Sequence, residues 1–213
     1  MIAFPLSKWI LDPILLLPLT SQFPDMMLIF LKPSGMFMAL ISISLWTAVM
    51  IALPFIAYQI WRFVAPGLLK KERRLMPLVV FSTVFCFLAG ACMAYFVVLP
   101  YALRFLVGTW ADIAVPQLEV KEYLTFTLRL TMAFGVVFEL PVLAFFLSRM
   151  GIVTPEFMRK FRLYAIFLIA VLAAFITPPD AVTMLMMLLP LALLYEISIL
   201  IAVAAVRRRN KEE

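Results

Sequence analysis

APGLLKKERRLM, residues 65–76, is a short basic interruption in an apolar chain. Lys70, Lys71, Arg73 and Arg74 surround one carboxylate, Glu72. The mostly apolar run on each side is about thirty residues, enough to cross a bilayer with some tilt. That pattern of span, basic connection and span sets the fold class. Glu72 itself has two readings. It is either a solvated loop acid paired to a neighbouring base, worth about 0–1 kcal/mol, or it is placed to meet a cation arriving from outside. Lys70 and Lys71 read as anchors to anionic lipid, at ~1 kcal/mol each.

The whole composition agrees with a membrane solvent. Hydrophobic residues make up 66% of the 213 and charged residues 14%, with a mean hydropathy of +1.10. Soluble domains are nearer half apolar and a quarter charged. The net charge of +6 therefore points to anionic lipid head groups rather than to nucleic acid. Cys86 and Cys92 lie six apart in one apolar run, on different faces of a helix. An internal disulfide is not expected, and both read as small core residues. No histidine is present, there is no Gly-rich phosphate loop, and the cysteines lack metal-ligand spacing. The expectation is a non-enzyme with no cofactor.

Working outward from 65–76 gives an all-α, polytopic helix bundle in a single membrane domain. Its spans fall at about 36–64, 75–106, 123–150, 163–177 and 181–206. The fourth is only about 22 Å long at ~1.5 Å per residue, short of the ~30 Å hydrocarbon core. Pro54, Pro100, Pro141 and Pro190 are expected to kink helices or end them. Most of the eighteen Lys and Arg residues flank the 65–74 and 151–162 connections or follow residue 206. The positive-inside rule places these loops and the 207–213 tail in the cytoplasm. With five spans, residues 1–35 then lie outside, where their leucines cap the bundle. Lys8, Asp12, Pro5 and Pro13 interrupt the first apolar run, which makes a poor signal peptide.

Several residues stand out against this background. Glu139, in FGVVFELPV, lies deep in the third span. Ionisable groups at membrane depth usually face a partner, a cavity or a pathway. Arg129 is ten residues away, ~15 Å along the helix and roughly 80° around it, so it is a poor direct partner. The plain reading is a protonated acid bonded to a neighbouring helix. Asp180 follows two prolines and is positioned to cap the last span. Thr154–Pro155–Glu156 reads as a cap, a first-turn proline and an acid at a helix N-terminus. Tyr95 reads as an interfacial aromatic, and Glu196 as a packing or partner contact.

WRFVAPGLLKKERRLM, AYFVVLPYALRF, AFGVVFELPV, MGIVTPEFMRKFR and ITPPD occur in that order. Together they resemble the TatC family of twin-arginine protein translocase subunits, over about Ser7 to Arg209. The resemblance implies six transmembrane helices with both termini cytoplasmic, so this chain would start past the family's tail and most of its first helix. It implies a receptor for twin-arginine signal peptides of folded proteins, in a bacterial inner membrane or, as the second choice, a thylakoid. Glu72 would then meet the arginine pair, with Phe63 and Leu68 as the apolar edge and Arg73 and Arg74 beside it. Glu139 would lie on a water-lined concave face, and Tyr95 and Asp180 near the outer face. Single-span TatA- and TatB-type subunits would dock at Thr177 and Thr183, although Met184 stands where the family often has glutamine. Export would draw on the proton-motive force, and the chain would associate with further copies of itself in the complex. A proton-coupled or small-molecule transporter using Glu139 is the alternative.

Overall fold

A computed structural model describes residues 15–24, 26, 28, 29, 31–64, 73, 76–109, 117–177 and 180–212. Among them the elements are helical: α1 (Leu17–Thr20), α2 (Pro33–Val64), α3 (Met76–Met93), α4 (Leu99–Leu103), α5 (Val120–Val137), α6 (Leu140–Arg149), α7 (Pro155–Lys160), α8 (Arg162–Ile176) and α9 (Ala181–Glu212). Among the described residues, four segments are long and apolar enough to cross a membrane: Ser34–Phe63, Met76–Gly108, Val120–Arg149 and Ala181–Arg207. The fifth, Arg162–Ile176, is shorter, as its fifteen residues require.

The prolines act in different ways. Pro54 and Pro190 sit inside continuous helices. Pro100 stands in α4 between two π-helical turns, Ala94–Val98 and Arg104–Gly108. It lacks an N–H and its ring crowds the preceding turn, and the widened turns absorb that strain without ending the span. Pro141, in the first turn of α6, coincides with a true break at 138–139.

The chain forms two compact units, residues 1–52 with 92–132, and residues 53–91 with 133–213. In the first, the Tyr123 hydroxyl donates to the Leu15 carbonyl at 2.7 Å. Ile29 and Glu119 form an isolated parallel bridge, with Ile29 N–H to Leu118 O at 3.0 Å and Val120 N–H to Ile29 O at 2.9 Å. These bonds tie the segment before α2 to the start of α5. Residues 1–14 lie outside the described residues.

In the second unit α6, α7 and α8 each pack on α9. Ser148 of α6 and Ser198, Ala202 and Ala205 of α9 are fully buried. Small residues let helix backbones approach closely where lipid supplies no hydrophobic drive between helices. The turn after α6 is closed by Gly151, at φ 75°. Its N–H reaches Ser148 O at 3.1 Å, and Ile152 N–H reaches Leu147 O at 3.0 Å. Together they form a Schellman cap. Thr154 then starts α7, its hydroxyl accepting from Phe157 N–H at 3.2 Å.

One assignment from the sequence changes here. Cys92 is exposed and Cys86 half-buried, both as free thiols. Cys92 is therefore not a core residue, because it falls on a face of α3 that no helix among the described residues covers.

Candidate functional site within the membrane

The site is built by two helices that approach closely. Thr83, Cys86, Phe87 and Gly90 follow one another at helical spacing on one face of α3. Opposite them, α5 presents Phe134 and Gly135, with Phe138 and Glu139 in the break. Both glycines are demanded by contact distance. A Cβ at Gly90 would lie 2.6 Å from the Phe134 carbonyl oxygen and 2.7 Å from Phe138 Cγ. A Cβ at Gly135 would lie 2.7 Å from Phe87 Cζ. Each glycine accepts the other helix's aromatic ring.

The break directs Glu139. Its N–H turns back to Val136 O at 3.1 Å, and its carbonyl accepts from Leu143 at 2.9 Å. Glu139 holds the cap position of α6, yet its side chain makes no cap bond. The carboxyl faces α3 instead, beside Thr83 and Cys86. The Trp61 indole of α2 donates to Thr83 Oγ at 3.0 Å. A hydroxyl that accepts from an indole keeps its own proton to offer elsewhere, here to the acid. Trp61 is fixed in turn by an edge-on contact with Phe146, centroids 4.5 Å apart at 76°. Val79, Val142 and Phe146 complete the apolar wall. Glu139 Oε1 is buried and has no partner among the described residues. It is an acceptor, or when protonated a donor, left open at membrane depth.

The structure thus brings Trp61, Thr83 and Cys86 to Glu139; Trp61 and Thr83 were not singled out from the sequence, and Cys86 was read there only as a small core residue. The only signal was a hydroxyl three residues before a thiol in an apolar span. Other sequence candidates lie apart from it. Phe63, in the last turn of α2, is 86% exposed. Arg73 is exposed and lines a groove between α2 and α3. Leu68, Glu72 and Arg74 lie outside the described residues, as do Lys70 and Lys71. Tyr95, in the first π turn, sits edge-on to Phe96 with centroids 4.8 Å apart. Asp180 caps α9: one oxygen accepts from Thr183 N–H at 2.7 Å and the other from the Thr183 hydroxyl. Thr177 ends α8 and its hydroxyl donates to Ala173 O at 2.9 Å. Thr177 and Thr183 are both buried, with their hydroxyls engaged inside the chain. Glu196 pairs with Arg162 at 2.8 Å, and the Tyr195 hydroxyl donates to Met158 O at 2.8 Å.

Long apolar helices, close glycine-mediated packing and a buried acid define a multi-pass α-helical membrane protein with a polar site inside the bilayer. Residues 1–190 match the family model described as Sec-independent protein translocase protein (TatC). The chain is 40% identical over 212 residues to the TatC protein of Aquifex aeolicus, covering 99% of this chain and 88% of that one. It is 43% identical over 177 residues to the TatC of Desulforapulum autotrophicum, covering 83% and 66%. A solved structure, "Crystal Structure of Twin Arginine Translocase Receptor- TatC", superposes with a TM-score of 0.88 at 41% identity, over 96% of this chain and 90% of that one. The chain belongs to the TatC family. It is therefore a multi-pass component of a protein translocase and not an enzyme.

Proposed function

We propose that this chain is the membrane-embedded receptor and core subunit of a twin-arginine translocation system. It binds the signal peptides of folded proteins on the cytoplasmic face of a bacterial inner membrane, with its own C-terminus in the cytoplasm. The observation that carries this reading is the likeness to a translocase receptor along nearly the whole chain, joined to one acid among four bases in the 65–76 connection. In this reading Glu72 accepts two parallel bonds from a guanidinium fork, a geometry an ammonium does not match. Phe63 and Leu68 supply the apolar edge, with Arg73 and Arg74 alongside. Glu139, with its open oxygen, serves contacts made during transport inside the membrane. Single-span TatA- and TatB-type subunits assemble at the α8–α9 end near Thr177 and Thr183. Both hydroxyls are already bonded internally, so docking there rests on exposed apolar residues such as Phe175, Leu185 and Leu189. Transport draws on the proton-motive force.

Site-specific photocrosslinking from positions 63, 68 and 72 in membranes tests the receptor role, with a twin-arginine signal peptide as bait and a twin-lysine version as control. Arginine-dependent crosslinks are expected. Equal or absent crosslinks in inserted, folded protein would remove the receptor assignment.

A further inference from the structure

A groove of about 600 Å³ runs between α2 and α3. Its walls are Pro54 and Tyr58 on one side and Pro77, Phe81 and Val84 on the other, with Arg73 at one end. Among the described residues the lining apart from Arg73 is uncharged and almost wholly apolar. Tyr58 and Phe81 on the two walls are 44% and 69% exposed, so the groove opens toward the surroundings of two membrane-spanning helices. What surrounds them is lipid. We propose that this groove seats one phospholipid, its acyl chain lying along Pro54, Pro77 and Phe81 and its phosphate held by Arg73.

Three observations favour that occupant. The first is the lining. The groove lies open along two spans and, among the described residues, its lining is almost wholly apolar, a surface an acyl chain covers. The second is level. Arg73 stands three residues before the apolar run of α3 begins, where a head group lies and where basic side chains meet the interface. Arg62 falls one turn beyond Tyr58 on the same face of α2, so both walls carry a guanidinium at the same end. The third is charge. A planar guanidinium fork matches a phosphate through two parallel bonds, and among the described residues no acidic side chain lines the groove. An apolar peptide segment entering beside its own arginine pair would meet like charge at Arg73 instead.

The test uses the full chain in nanodiscs of phosphatidylglycerol and phosphatidylcholine, with no signal peptide present, so its result is independent of the receptor reading. A phosphatidylglycerol carrying a diazirine in its acyl chain is photolysed, and the labelled residues are mapped. Label is expected to concentrate at 54–58 and 77–84 over the equally lipid-facing Leu189 and Leu193. Arg73→Gln should lower that labelling roughly tenfold, the equivalent of one charge-assisted contact. Arg207→Gln, at the far end of α9, should leave it unchanged. Val84→Trp should exclude the chain sterically with Arg73 intact. Even labelling across lipid-facing residues, or undiminished labelling in Arg73→Gln, would overturn the proposal.

Discussion

Gly90→Ala tests the packing that builds the intramembrane site. The new methyl would meet the Phe134 carbonyl oxygen at 2.6 Å and Phe138 Cβ at 2.8 Å. A backbone oxygen cannot rotate away, so α3 and α5 must separate by several tenths of an ångström. Overpacking of this kind costs about 1–3 kcal/mol, and the better helix propensity of alanine returns about 1. A net loss of up to about 2 kcal/mol is expected, with Phe138 displaced and Glu139 drawn from Thr83. Gly135→Ala meets only the tip of the Phe87 ring, 2.7–2.9 Å away, which a small ring rotation relieves. Its loss should be smaller. Gly108→Ala has nothing within 4 Å and should be neutral or stabilising. Equilibrium unfolding in mixed micelles, titrated with sodium dodecyl sulfate, measures all three. The order Gly90 worst, Gly135 intermediate and Gly108 harmless is the prediction. A Gly90→Ala protein as stable as the parent would refute the close-approach argument.

Three further outcomes are expected. Thr83→Val leaves the Trp61 indole and the Glu139 carboxyl without their shared hydroxyl, at a cost of about 1–3 kcal/mol; adding Trp61→Phe should cost less than the sum of the two singles, and strict additivity in the same unfolding assay would deny the link. Gly151→Ala forces a side chain into the left-handed region, about 1–2 kcal/mol, read as faster proteolysis at the α6–α7 turn. Asp180→Ala removes the α9 cap at about 0.5–2 kcal/mol, whereas Asp180→Asn keeps an acceptor for Thr183 N–H and should recover most of it, as measured by amide exchange over residues 181–184.

What was legible in the sequence was what the bilayer and the local chain dictate. Span length, the short α8, the break beside Pro141 and the caps at Thr154 and Asp180 depend on neighbours within four residues. The break at 138–139 was foreshadowed by Pro141, but Pro54 and Pro190 show that a proline need not end a helix held in lipid. The partners of Glu139 were not legible. They depend on which face of α3 turns toward α5, and helices that are apolar nearly all round carry little periodic signal to fix that rotation. The Arg162–Glu196 pair, 34 residues apart, was hidden for the same reason, as was the exposure of Cys92. By itself the sequence determined a helical membrane protein, its approximate spans and its family blocks, because hydropathy and turn chemistry are local. Only the tertiary structure decided that Trp61 and Thr83 meet Glu139. That pairing depends on Gly90 and Gly135 setting how closely, and at what rotation, α3 and α5 meet.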